Sequence, residues 1–69
     1  MMTVPQIIDG LGGTSAFARM IGKNQSTASE QKRRRSIPVK YWPVIMAQYR
    51  ARGIALTTDI LVKAHTERK

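Results

Sequence analysis

The segment from Gly13 to Arg35 limits the possible folds of this chain more than any other, because it predicts two short helices joined by a tight turn. Thr14 and Ser15 are residue types that cap the free N–H groups at a helix start. Apolar side chains then recur at helical spacing on one face, at Phe17, Ala18 and Ile21. Gly22 ends this helix, since glycine adopts left-handed backbone at little cost. A break this short requires the next helix to cross the first at a steep angle.

The second helix of the segment, predicted over residues 25–34, is almost wholly polar on its outward side. Ala28 lies on the inward side together with Asn24 and Gln31. The outward side carries Ser26, Ser29, Glu30 and Arg33. A helix without an apolar stripe is only marginally stable by itself. We therefore expect this side to serve something other than the core, with a plain solvated face as the alternative. Gln31 is either a tolerated core substitution or a polar link across the core.

The charge of the chain points to a polyanionic partner. Twelve Lys and Arg residues oppose four Asp and Glu residues, which gives a net charge of +8 in 69 residues. Positive residues are contiguous from Lys32 to Arg35, and Arg19, Lys23 and Lys40 flank them. Clustered positive charge is the electrostatic footprint of a nucleic-acid binder. A membrane surface is disfavoured, because the basic run adjoins a polar helix.

Length and composition favour one small domain, residues 1–69, that relies on a partner subunit. We expect a homodimer, with Leu56 and the apolar residues of the last helix as candidate contacts. Cysteine is absent, which excludes disulfides and thiolate metal sites. No apolar stretch is long enough for a membrane span, and no signal-peptide pattern is present, so the expected location is the cytoplasm.

Three further helices are predicted around this segment. Thr3 and Pro5 begin the first, and glycines at 10, 12 and 13 end it. The fourth, between Ile37 and Ile54 with Ser36 as a possible cap, supplies most of the core, at Trp42, Ile45, Met46 and Tyr49. Pro43 either kinks that helix or starts it. Thr57 or Thr58 caps a fifth helix, and the tail 65–69 is expected to fray, with no role for His65.

The spacing of small and polar residues in the segment resembles a known family. Ala18 and Gly22, then Ser26 to Ser29, then Lys32 and Arg33, are similar to the helix-turn-helix of the Cro and CI phage repressors. The resemblance is closest to the small all-helical Cro-like proteins. It continues through Ile37 and Pro38 into Trp42-Pro43, and covers about residues 7–61.

The resemblance implies a fold and a function. The fold would be an all-α, compact five-helix domain of the lambda-repressor-like type, with its motif at about residues 14–34. Ala18, Gly22 and Ala28 would be the structural residues of the motif. The function would be that of a sequence-specific double-stranded DNA-binding transcriptional regulator, a repressor of phage or mobile-element origin that binds a palindromic operator as a dimer.

Two sets of side chains are then candidate DNA contacts. Those that can hydrogen-bond base edges in the major groove are Gln25, Ser26, Ser29, Glu30 and Arg33. Glu30 would accept from cytosine, and Arg33 would donate to guanine. Those that can contact phosphates are Thr14, Ser15, Thr27, Lys32, Arg34, Arg35 and Lys40. Contiguous helical residues point in different directions, so we expect only two or three of Lys32, Arg34, Arg35 and Lys40 to touch phosphates. For Thr14 and Ser15, plain helix capping is the alternative.

Other functions find less support in the sequence. One histidine and four scattered carboxylates offer no catalytic pair and no metal cluster, so we expect no enzyme activity, metal, cofactor or small-molecule ligand. Trp42 next to Tyr41 could stack on single-stranded bases, but its place in an apolar stripe favours the core. Two alternatives stay open: a protein-interaction regulator that reuses the scaffold, such as an anti-activator or antitoxin-like factor, and a non-specific binder of DNA or RNA.

Overall fold

Five α-helices and one 3₁₀ turn make up the chain in a computed structural model that describes residues 3–66. The helices are α1 (Val4–Gly10), α2 (Thr14–Ile21), α3 (Gln25–Arg34), α4 (Trp42–Ala51) and α5 (Thr58–Thr66), with the 3₁₀ turn at Val39–Tyr41. Residues 3–66 contain no strand. The predicted all-α, five-helix domain is confirmed for this part of the chain, which is compact, with a Cα radius of gyration of 10.8 Å.

Three of the five helix starts follow local capping chemistry. Thr3 and Gln6 form a capping box at the start of α1, each side chain bonding the backbone N–H of the other. The Asn24 side chain accepts from Thr27 N–H at 2.9 Å and so begins α3. Thr57 accepts from Ile60 N–H at 3.3 Å and begins α5. These three starts are therefore encoded within four residues of the chain. α2 begins instead after Gly13 with no side-chain cap, so the capping role expected for Thr14 and Ser15 is wrong.

One buried core joins all five helices. Its fully buried large side chains are Val4, Ile7, Ile8, Leu11, Phe17, Ile45, Tyr49 and Leu61. Trp42 is also buried, and its indole Nε1 donates to the Ile37 carbonyl at 2.9 Å. With about nine-tenths of its surface covered, Trp42 is a core residue, as its place in the apolar stripe predicted. Ile21 and Met46, which we expected in the core, are only partly buried. Ile21 is the last residue of α2, and Met46 lines a surface groove beside α4.

The start of α4 decides between the two roles considered for Pro43. The 3₁₀ turn Val39–Tyr41 comes first, and α4 begins at Trp42 with Pro43 in its first turn. Proline is well tolerated there, because the first N–H groups of a helix have no partner within it. Pro43 therefore belongs to the helix start and does not kink a longer helix. Ser36, considered as a cap, precedes α4 by several residues.

The last helix is tied to the segment that follows α3. The His65 Nε2 accepts from Ile37 N–H at 2.8 Å, and Nδ1 lies 2.7 Å from the Leu61 carbonyl. A backbone N–H must donate and a carbonyl must accept, so in this geometry Nε2 is the acceptor and Nδ1 the donor. The ring also lies 5.2 Å from that of Trp42. Our prediction that the chain frays from residue 65 is thus wrong for His65 and Thr66, while residues 67–69 lie outside the described range.

Apolar side chains of α5 serve this core. Leu56, Leu61 and Ala64 are buried within the single chain, so most of their surface is committed to this core. Ile54 and Val62 instead expose 48% and 45% of their surface. No helix within residues 3–66 combines the length and apolarity needed to cross a membrane.

Candidate nucleic-acid interface

A three-residue connection fixes α3 against α2. Gly22 adopts a left-handed conformation, with φ 70° and ψ 30°, and ends α2. Lys23 N–H then donates to the Ala18 carbonyl at 3.0 Å, which closes the helix end. Ala18 and Ala28 are both buried. Small side chains at these two places let α2 and α3 approach closely, which orients the polar side of α3 outward.

The five predicted base-reading side chains lie together on the outer surface of α3. Exposed side chains there are Gln25, Ser26, Ser29 and Arg33, and Glu30 is half-buried. All five line one shallow concavity. Gln25 Nε2 also donates to Thr14 Oγ1 at 3.4 Å, which links this surface to the first turn of α2. We call these five residues the α3 face.

A basic hollow adjoins the α3 face on one side. Thr14, Lys32 and Arg35, three of the predicted phosphate-contacting residues, line it together with Pro5. Ser29 and Arg33 belong to both this hollow and the α3 face. Lys32 Nζ is bound to Asp9 Oδ1 of α1 at 2.8 Å, an exposed ion pair that also keeps the ammonium next to the hollow.

A second hollow adjoins the α3 face on its other side. Thr27 and Arg34, two more predicted phosphate contacts, line it, and Ser26 and Glu30 belong to both surfaces. Gln31 also lines this hollow, and its side-chain oxygen is buried without a hydrogen-bond partner among residues 3–66. The polar link across the core that we considered for Gln31 is therefore not present at this oxygen.

Two predicted phosphate contacts lie apart from these hollows. Ser15 is exposed in the first turn of α2, and Lys40 is exposed in the 3₁₀ turn. The Lys40 ammonium is 5.2 Å from the centre of the Tyr41 ring. The structure therefore brings five of the seven predicted residues to the borders of the α3 face and leaves these two outside.

Glu30 carries the strongest electrostatic perturbation on the α3 face. Its carboxylate accepts from Arg33 Nη2 at 2.8 Å and from Arg34 Nε at 2.5 Å. The hydrogen bonds from Arg33, and then those from Arg34, hold the pKa of Glu30 below its ordinary value of 4.5. The spacings i,i+3 and i,i+4 between these residues are a signal for such pairs that the sequence already contained. Asp9 carried no comparable signal, because its partner Lys32 lies 23 residues away.

Comparison of the chain with protein-family models, with curated proteins and with solved structures gave no match. Function is therefore inferred from the residues of this chain.

Proposed function

We propose that this protein is a sequence-specific double-stranded DNA-binding transcriptional regulator in which α2 and α3 form a helix-turn-helix. In this proposal α3 enters the major groove and its outer side chains contact base edges. The supporting observation is that the five side chains chosen from sequence for base contacts line one surface of α3. A repressor of phage or mobile-element type is the form that the Cro and CI resemblance implies.

The distribution of charge around the α3 face supports this function. A helix lying in the major groove has a phosphate backbone on each side, so cations are needed on both borders of its reading surface. Lys32 and Arg35 line the hollow on one border, and Arg34 lines the hollow on the other. The α3 face between them carries amide, hydroxyl, carboxylate and guanidinium groups, which suit base edges.

A homodimer is part of the proposal. Two copies would place their α3 helices about 34 Å apart, in successive major grooves of a palindromic operator. The surface proposed for the dimer is the apolar groove between α4 and the segment after it, lined by Pro43, Met46, Ala47, Ile54 and Leu56 among others. Occupying the operator would repress by blocking polymerase or a competing regulator.

The test is binding of the purified protein to duplexes selected from a random library, measured by fluorescence anisotropy at two salt concentrations. We expect a preferred sequence, with two half-sites, that binds about a thousandfold or more tighter than scrambled duplex. Equal, steeply salt-dependent affinity for all duplexes would contradict the proposal and favour a non-specific nucleic-acid binder.

A pair of variants tests the role of α3. Arg33→Ala removes a guanidinium from the α3 face, and Lys63→Ala removes one positive charge from the exposed surface of α5. We expect Arg33→Ala to lose most of the preference for the selected duplex and Lys63→Ala to keep it. If both variants bind the duplex alike, α3 does not read the bases, and a protein partner becomes the better candidate.

A second pair tests the dimer. Ile54→Glu puts a carboxylate into the apolar groove, whereas Val62→Glu puts one on α5, at a similarly exposed apolar side chain outside that groove. Sedimentation should show a dimer for the unmodified protein and for Val62→Glu, and a monomer for Ile54→Glu. A dimer that survives Ile54→Glu would mean that another surface is used.

A further inference from the structure

The carboxylate of Glu30 binds two arginines of the same helix at once. Arg33 donates to Oε1 from Nε at 3.3 Å and from Nη2 at 2.9 Å, and to Oε2 from Nη2 at 2.8 Å. Arg34 Nε donates to Oε2. The Arg33 side chain is 74% exposed, so Glu30 is what restrains it within the described part of the chain. Free rotation of this long side chain is thus reduced before any ligand arrives.

These contacts occupy only one edge of the Arg33 guanidinium. A guanidinium is a planar fork of five N–H donors, with one bidentate edge formed by Nε and Nη2 and another formed by the two terminal nitrogens. Glu30 takes the edge that contains Nε. The hydrogen bonds of Arg33 within residues 3–66 do not involve Nη1. Nη1 therefore stays open to a ligand, and the outer edge that it shares with Nη2 is not the edge that Glu30 contacts.

We propose that Glu30 is a positioning residue that fixes Arg33 for bidentate recognition of one guanine per half-site. This inference rests on the DNA-binding function proposed above and names what that site reads. The outer guanidinium edge matches the O6 and N7 acceptors of guanine. A side chain already held in place loses less rotational freedom on binding, so more of the hydrogen-bond energy appears as discrimination.

The same geometry changes the role that the sequence gave to Glu30. Its two oxygens already receive four N–H contacts from Arg33 and Arg34. Three nitrogens, Nε and Nη2 of Arg33 and Nε of Arg34, donate to this one carboxylate, so accepting from cytosine N4 would compete with the contacts that hold the two arginines. Glu30 therefore acts through Arg33 and does not contact a base itself.

The charge of Glu30 also disfavours the wrong ligand for Arg33. A phosphate placed on the outer edge of Arg33 would lie near the Glu30 carboxylate, and the two anions would repel each other. The O6 and N7 atoms of guanine are neutral acceptors and meet no such repulsion. Glu30 thus weakens contacts of Arg33 to phosphate, which do not depend on sequence, and supports its contact to guanine. This raises the difference in affinity between the preferred and other duplexes, which is what specificity measures.

The experiment starts from the duplex selected for the unmodified protein. Each guanine of a half-site is replaced in turn by deazaguanine, which lacks N7, and binding is measured by anisotropy. A full bidentate contact is worth about 5- to 140-fold in affinity, and this replacement removes one of its two hydrogen bonds, so we expect one guanine whose replacement weakens binding by about 5-fold or more. Arg33→Ala should bind both duplexes alike. Glu30→Gln should lose most of the discrimination at that guanine while its affinity for scrambled duplex stays equal or rises.

Asp9→Asn is the matched control, because it also removes one carboxylate paired with a cation of α3, at Lys32. We expect this variant to keep the full discrimination. Circular dichroism of each variant checks that the helices are intact. Discrimination that survives Glu30→Gln, or that is lost equally in Asp9→Asn, overturns the positioning role and leaves the DNA-binding proposal standing. A protein that selects no duplex at all overturns both.

Discussion

Tyr49→Phe tests how α4 holds the end of α1. The buried Tyr49 Oη donates to the Ile7 carbonyl at 2.7 Å. If α1 continued past Gly10, the Ile7 carbonyl would accept from Leu11 N–H. Leu11 N–H donates to the Ile8 carbonyl instead, which leaves the Ile7 carbonyl to Tyr49. Phenylalanine would leave the Ile7 carbonyl buried without this partner, which costs about 1–3 kcal/mol of the free energy of unfolding.

The expected loss is large for a chain of this size. A 69-residue domain has a total free energy of unfolding of about 3–10 kcal/mol. Each kcal/mol corresponds to about 4–8 °C in Tm for domains of this length, so we expect Tyr49→Phe to lower Tm by about 4–24 °C. Thermal unfolding followed by circular dichroism measures this shift.

Gly10 provides the second arm of the test. A Cβ built at Gly10 would overlap the Tyr49 phenol oxygen, and the next nearest atom, Cζ of the ring, would be 3.2 Å away. Gly10→Ala should therefore cost about 1–3 kcal/mol while the hydroxyl is present. With phenylalanine at 49 the overlap with the oxygen disappears, but the tight 3.2 Å contact to Cζ remains. The higher helix propensity of alanine, about 0.5–1 kcal/mol relative to glycine, roughly offsets that remaining contact. The double variant should then be about as stable as Tyr49→Phe alone.

Two results would refute this reasoning. One is additivity, meaning that the two substitutions couple by less than about 0.5 kcal/mol in a double-mutant cycle. The other concerns pH: burial raises the pKa of Tyr49 above its ordinary value of 10.0. The folded state therefore holds the phenol proton more tightly than the unfolded state does. The stabilisation by the Tyr49 hydroxyl is complete below pH 10.0 and is lost as the pH rises above that value. Tyr49→Phe should remove that alkaline loss, and an unchanged pH profile would contradict the assignment.

Three further predictions concern single side chains. Gln31→Met removes a buried side-chain oxygen that has no partner within residues 3–66, and should raise the free energy of unfolding in urea by about 1–3 kcal/mol; an unchanged midpoint would contradict it. His65→Ala leaves the Ile37 N–H without its acceptor and should lower the free energy of unfolding by about 1–3 kcal/mol in the same assay, whereas a frayed, idle His65 predicts no change. The pKa of Glu30 is lowered, so its ion pairs stabilise the fold above pH 4.5 and are lost as the pH falls below that value. Acid titration should therefore destabilise the unmodified protein more than Glu30→Gln, and parallel curves would speak against the pairs.

Helix ends were predictable from sequence because their causes are local. Gly22 ends α2 through its own backbone, and Asn24 caps α3 with a residue three positions away. The outward side of α3 was predictable from helical periodicity. Once Ala28 is placed toward the core, the polar residues on the opposite side of the helix must face outward. The five-helix fold and the surface of α3 thus came from patterns no longer than a few turns.

Contacts between distant residues could not be predicted in this way. Tyr49 and Ile7 are 42 residues apart, and His65 and Ile37 are 28 apart. Which polar groups meet at such separations depends on how the helices pack, and the sequence pattern of one helix carries no information on that. For the same reason His65 had no role in the sequence, although it accepts a backbone hydrogen bond that anchors the segment after α3.

Arg35 ends α3 in a left-handed conformation, with φ 55° and ψ 45°, and it is the single residue other than glycine with positive φ within residues 3–66. Such a backbone costs a non-glycine residue about 1–2 kcal/mol. Glycine at this position would relieve that strain, but it would also remove the last of four consecutive cations and lower the net charge from +8 to +7. The most stable sequence and the most basic sequence therefore differ at residue 35, so a variant selected for heat resistance and one selected for polyanion binding would diverge there.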